Sequence, residues 1–214
     1  VMFESFQVVT LLTLLTRLLV GAYPQWQGCA PSRTQRIYFA NHSSHMDAIV
    51  IWSSLPAELR AKTRPVAAKD YWEKGALRRR IAIKELKVVL IDRHHTAHAN
   101  PLDPLIQALR EGSSLIIFPE GTRNKNKDEL ELLPFHEGSF KIASKSGCAI
   151  IPMAMNNTAE IFEAHMPKIK STHVVLEYGK PIYVKELSKE DQKHLGTYTQ
   201  NIIYEMLEKN KSLV

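Results

Sequence analysis

Cysteine is scarce. Cys29 and Cys148 are the only two in 214 residues, far apart and outside any C-x-x-C pair. Neither a disulfide framework nor a thiolate zinc cluster can be built from them, and a reducing compartment is the simplest reading. The chain has no repeat at a fixed period and no low-complexity tract, and its 9 Gly and 11 Pro are near average usage. Solenoid, propeller and collagen-like architectures are therefore excluded. A G-x-S-x-G elbow is absent as well, so no serine is set up as the nucleophile of an α/β-hydrolase. Crossing a bilayer takes about 20 apolar residues, and the run at 8–20, VVTLLTLLTRLLV, is shorter and broken by Arg17. It also lacks the basic flank and the A-x-A site of a cleaved leader. A helix lying in the membrane interface, with Arg17 and the threonines facing water, fits this pattern; a buried core helix is the alternative.

What is present is an ordinary globular composition, 44% hydrophobic and 23% charged, enough for one domain with a sizeable core. The net charge of +6 is concentrated. Residues 58–93 hold 11 Lys/Arg against 5 Asp/Glu, an excess equal to that of the whole chain. Such a concentration points to an anionic partner, unless Arg78, Arg79 and Arg80 are only a solvated helix face. No nucleic-acid motif accompanies it, so nucleic acid is not expected as a partner.

A Pro/Gly/Ser loop is expected at 21–34. Beyond it, short β-rich runs alternate with helical spacing. RIYFA (36–40), PVAA (65–68), KVVLI (87–91), SLIIF (114–118), CAIIPMAM (148–155) and HVVLEY (173–178) read as strands. Residues 46–54, 71–83, 101–111 and 138–146 read as helices, and 187–210 as one final amphipathic helix. Runs without apolar/polar alternation belong to strands covered on both faces. The fold class is therefore α/β, a largely parallel central sheet flanked by helices, with an N-terminal membrane-interfacial helical element. Residues 1–25 are assigned to that element and 26–214 to the catalytic domain.

In such sheets the chemistry sits just past the C-terminal ends of strands. After RIYFA comes Asn41-His42-Ser43-Ser44-His45-Met46-Asp47. A carboxylate five residues beyond His42 can fold back onto the imidazole, fix its tautomer and stabilise the imidazolium, which makes a general base of His42. After SLIIF comes Pro119-Glu120-Gly121-Thr122-Arg123. Gly121 allows close backbone approach, Thr122 can donate a hydrogen bond, Arg123 offers a fork for phosphate, and Glu120 can bind polyol hydroxyls or hold Arg123. Asp92-Arg93 follows KVVLI. His94, His95 and His98, and His42 with His45 and Asp47, lack third and fourth ligands, so no metal is expected. Residues 124–134 read as a mobile solvated loop placed to serve as a lid.

Taken together, these blocks resemble the 1-acyl-sn-glycerol-3-phosphate acyltransferase family. Asn41-His42-x-Ser44-x-x-Asp47 is similar to its N-H-x-S-x-x-D block, and Phe118 to Arg123 match F-P-E-G-T-R without a mismatch. Ile91-Asp92-Arg93, Phe135 to Lys141 and Ile151 to Ala154 resemble the remaining landmarks in order and spacing. The resemblance implies transfer of a fatty acyl chain from a coenzyme A or acyl carrier protein thioester to the hydroxyl of a lysophospholipid, by the His42/Asp47 pair and without an acyl-enzyme. It implies Arg93 and Arg123 on the acceptor phosphate, Lys69 as a third cation, Glu120, Gly121 and Thr122 lining the acceptor site and Pro152 shaping its floor. No cofactor is implied. The implied location is peripheral or monotopic on the cytoplasmic face of a membrane, a bacterial inner membrane being the expected one. Glu85-Leu86-Lys87 and Lys69-Asp70-Tyr71 depart from the family pattern on the acceptor side. Glycerol 3-phosphate or a lyso-ornithine lipid therefore remain open as acceptors, and a thioesterase or lipase is the competing use of the same site.

Overall fold

The computed structural model describes residues 10–11, 13–18, 23–69, 79–92, 100–126, 128, 130–158 and 174–213. Its centre is a seven-stranded sheet of β1 (Tyr23–Trp26), β2 (Arg36–Ala40), β3 (Thr63–Ala68), β4 (Val89–Ile91), β5 (Ser114–Ile117), β6 (Ala149–Asn156) and β7 (Val175–Tyr178). The spatial order is β1-β7-β6-β2-β5-β3-β4. From β6 to β4 all pairings are parallel, whereas β7 runs antiparallel to β6 and carries β1 parallel to itself. This is the expected α/β class.

Why these runs form central strands is visible in their burial. Every residue of β2, β5 and β6 is buried. Alternate side chains of β2 serve different layers, with Ile37 and Phe39 on one face and Tyr38 and Ala40 on the other. The first face packs on α3 (Asp103–Arg110), α4 (Glu137–Ser146) and α6 (Leu195–Asn210), where Phe39 stacks on Phe140 with ring centroids 4.1 Å apart. The second packs on α1 (Asp47–Ser54) and the short α2 (Ala57–Arg60) through Ile49, Trp52 and Leu59. A second short helix, α5 (Lys189–Lys193), precedes α6, and a π-helical turn (Ile81–Glu85) precedes β4. The expected helix at 71–83 lies outside the described residues as far as 78.

Three expectations are corrected. The loop assigned to 21–34 contains β1, an edge strand able to hold Pro24 and fixed by Trp26 stacked on Tyr178 at 3.8 Å. The sheet therefore starts at Tyr23, and a domain boundary at 25/26 would cut its first strand. The final helix is two helices, because His194 leaves helical geometry (φ −115°, ψ 42°) and the backbone N–H groups of Gly196 and Thr197 are capped by the Glu137 carboxylate at 2.9 and 3.1 Å. A Cβ at residue 196 would lie 2.8 Å from a Glu137 oxygen, so a larger residue there displaces the carboxylate from its cap. Gly196→Ala sets the loss of that cap, about 0.5–2 kcal/mol, against the roughly 1 kcal/mol by which alanine favours a helix over glycine, so urea unfolding is expected to show a net loss of no more than about 1 kcal/mol.

The third correction concerns the N-terminal helical segment, 10–18. Thr13 and Thr16 are only 6% and 3% exposed, and the Arg17 Nε donates to the Ser53 carbonyl at 3.0 Å, at the C-terminal end of α1. Its described leucines, Leu11, Leu14, Leu15 and Leu18, point outward instead, with Leu14 52% and Leu18 66% exposed. The polar stripe faces the protein because the last carbonyls of α1 offer acceptors that a guanidinium can satisfy. No helix among the described residues is long and apolar enough to cross a membrane.

Candidate active site

Five parallel strands end on one edge of the sheet, and the described side chains singled out by sequence hang from three of those ends. β2 is flanked by β6 and β5, so the residues after it occupy the middle of the edge. Asn41 anchors this point. Its amide donates to the Met155 carbonyl and accepts from the Met155 N–H, both at 2.9 Å, binding the end of β2 to β6.

The next residue carries the chemistry. The Nδ1 of His42 lies 2.8 Å from Oδ2 of Asp47, the first residue of α1. Asp47 is fully buried, and the same oxygen accepts the N–H groups of Ser43 at 2.7 Å and Ser44 at 2.9 Å. These backbone donors hold the carboxylate in place, so the imidazole takes its orientation from Asp47 rather than the reverse. Oδ1 of Asp47 is buried with no hydrogen-bond partner among the described residues. The other face of the pair is apolar, with the His42 ring stacked on Phe118 at 4.2 Å. With Nδ1 occupied and the side chain 20% exposed, Nε2 is the nitrogen left for an incoming group.

The main chain of His42 is bracketed from both sides. Its N–H donates to Oε1 of Glu120 at 2.7 Å, and its carbonyl accepts from the Asn124 N–H at 2.6 Å. The second oxygen of Glu120 accepts the Leu133 N–H at 3.0 Å. Burial pushes the Glu120 carboxyl up, against the pull of these two N–H groups and of His42 toward the ionised form. Expected contacts of Glu120 with substrate hydroxyls or with Arg123 are thus not what its oxygens do: the residue is 2% exposed and both oxygens serve backbone donors.

Gly121 adopts the left-handed region (φ +67°), turning the chain so that Thr122 emerges exposed and Arg123 half-buried. Arg123 has no hydrogen bond or ion pair with any described residue. Lys69 is exposed at the end of β3, two strands from β2, about 10 Å along the edge. Arg93 lies outside the described residues, directly after Asp92 at the end of β4. Pro152 is not brought to His42. It pairs with Phe39 inside the sheet and its ring meets Gly179, on the face that also carries Met206, which corrects its assignment to the floor of the site. Among the described residues no group of three or more His, Cys, Asp or Glu could hold a metal ion.

Asn124 is the positioning residue that sequence reasoning passed over. Its side chain donates to the Glu131 carbonyl at 2.7 Å and accepts the Asn126 N–H at 3.0 Å, while Asn126 donates to the same carbonyl. Within the segment read as a mobile solvated loop, Asn124 and Asn126 are thus joined to Glu131, and Leu133 to Glu120. Only the recurrence of Asn in NKNK could have signalled it.

The sequence pattern of the family described as Acyltransferase matches residues 27–156, more than half of the chain. The chain belongs to the acyltransferase family. Over 175 residues this family member is 26% identical to the 1-acyl-sn-glycerol-3-phosphate acyltransferase of Salmonella typhimurium, covering 78% of this chain and 64% of that one. Against the 1-acyl-sn-glycerol-3-phosphate acyltransferase alpha of Homo sapiens it is 24% identical over 192 residues, covering 88% and 65%. It thus spans just under two thirds of the length of these relatives. The crystal structure of the 1-acyl-sn-glycerophosphate acyltransferase of Thermotoga maritima has the same fold, with a TM-score of 0.74 at 22% identity over 98% of this chain and 86% of that one. The matched residues 27–156 contain His42, Asp47, Glu120 and Arg123, so the family assignment and the geometry concern the same part of the chain.

Proposed function

We propose that the protein transfers a fatty acyl chain from a thioester of coenzyme A or acyl carrier protein to the free hydroxyl of 1-acyl-sn-glycerol 3-phosphate. The observation that carries this reading is the His42 imidazole fixed by a buried Asp47 with Nε2 left outward, in a chain whose curated relatives are named for that reaction. Nε2 takes the proton of the acceptor hydroxyl as its oxygen attacks the thioester carbonyl. The C–O bond forms, the C–S bond breaks, and the imidazolium returns the proton to the departing thiolate. Asp47 stabilises the imidazolium between these steps. No residue is acylated on this route. Arg123, unpaired among the described residues on the neighbouring strand end, holds the acceptor phosphate, with Lys69 farther along the same edge and Arg93, which follows Asp92 in the chain, as a third candidate cation. The exposed leucines of the N-terminal segment rest in the headgroup region of a membrane, which delivers the lysolipid from one side.

Thiol release from palmitoyl-CoA, with and without 1-acyl-sn-glycerol 3-phosphate in liposomes, tests the reading. Release that requires the lysolipid and yields phosphatidic acid is the expected result. Release indifferent to the lysolipid would make the protein a thioesterase.

A further inference from the structure

His136 stands outside the pair and its bracket, yet it is built into the turn that carries Arg123. Its N–H donates to the Pro119 carbonyl at 2.9 Å, tying the segment before α4 to the end of β5. A Cβ on Gly121 would lie 3.0 Å from Cδ2 and 3.1 Å from Nε2 of His136, so the edge of the imidazole rests directly on the Gly121 backbone. The residue is exposed, and neither ring nitrogen bonds to a described residue. Arg123 is two residues along from the glycine that the ring covers.

The acidic side chains within these two motifs are turned away. Glu120 is spent on the N–H groups of His42 and Leu133, and Glu137 on those of Gly196 and Thr197. The groups able to donate beside Gly121 are those of exposed Thr122 and half-buried Arg123, its neighbours in the chain, and the exposed His136 imidazole that packs on it.

We propose that His136 is a second ligand of the acceptor phosphate and selects for a phosphate monoester. The proposal rests on the acyltransferase reading. A guanidinium fork engages two phosphate oxygens, and an imidazole N–H held beside Gly121 takes a third. A monoester presents three free oxygens to this arrangement, whereas a phosphodiester lysolipid has one of them esterified.

The test compares His136→Leu and His136→Lys with wild type, using 1-acyl-sn-glycerol 3-phosphate and the phosphate-free 1-acylglycerol as acceptors. The KM for the phosphorylated acceptor rises about tenfold in His136→Leu, while kcat and the KM for the thioester stay within about twofold. His136→Lys regains the affinity, and neither change alters the KM for 1-acylglycerol. A fall in kcat common to both variants and both acceptors would overturn the proposal and leave His136 as a packing residue of the turn. NMR of the His136 ring in the wild-type protein, titrated with glycerol 3-phosphate, gives an independent reading: a saturable shift supports the ligand role and no shift overturns it. Because this titration needs no turnover, it also separates the two readings. A wild type that acylates no lysolipid defeats the acyltransferase assignment, whereas the ring signal alone decides on the phosphate.

Discussion

Asp47→Asn lowers kcat by about 10³–10⁴-fold while leaving the fold intact. The asparagine oxygen can occupy the place of Oδ2 and still accept the N–H groups of Ser43 and Ser44, which lie at 2.7 and 2.9 Å, so the start of α1 keeps its anchor. What disappears is the negative charge 2.8 Å from Nδ1 of His42. A neutral partner no longer stabilises the imidazolium that forms when Nε2 takes the acceptor proton, and the barrier to that transfer rises. The amide NH2 falls where Oδ1 now lies, a buried position without a hydrogen-bond partner among the described residues. An unpaired donor there costs about 1–3 kcal/mol, visible in urea unfolding and far too small to account for the loss of turnover. Because the substitution spares the phosphate and thioester contacts, the KM for each substrate remains near the wild-type value in steady-state assays. An Asp47→Asn enzyme with full kcat would remove the base pair from the mechanism.

The part of this machinery legible in sequence is the part made by neighbours in the chain. His42 and Asp47 are five residues apart at a strand end, so their meeting follows from the local turn. The β-rich runs declared themselves as central strands by lacking alternation, and β2, β5 and β6 are indeed buried throughout. Contacts across long separations were not legible. Glu120 reaches His42 over 78 residues, and Glu137 caps a helix about 60 residues later. In sequence both are ordinary acidic residues at polar loops. Sequence placed Glu120 against substrate because a carboxylate was assumed to be exposed; its burial under two backbone donors depends on β2 and β5 being neighbours. The N-terminal segment misled for a related reason. Periodicity showed two faces, and water was assigned to the polar one, but the Ser53 carbonyl turned that face inward.

Glu120→Gln separates stability from activity. Burial has raised the Glu120 pKa, so the folded protein binds this proton more readily than the unfolded chain. Between the ordinary glutamate value and the raised one, the folded state holds more protons, and stability falls as pH rises through that window. Above the window the full cost of a buried carboxylate remains. Glutamine carries no such charge, so relative to wild type the variant gains as pH rises through the window and loses as pH falls through it, on top of a pH-independent cost of about 1–3 kcal/mol for the N–H group that its amide leaves facing a donor. Activity moves the other way. Only an ionised carboxylate offers acceptors to both the His42 and Leu133 N–H groups, 2.7 and 3.0 Å from its oxygens. The amide satisfies one and confronts the other with a donor, releasing either the His42 or the Leu133 main chain. A displacement of about 1 Å at a catalytic group costs on the order of 10²-fold in rate, and that is the kcat loss expected at neutral pH. Urea unfolding of both proteins at several pH values, paired with kcat, checks the two halves separately. A variant that is less stable at neutral pH and recovers as pH falls would mean that the two N–H groups outweigh burial. Wild-type kcat in the variant would mean that His42 is held by Asp47 and Phe118 alone.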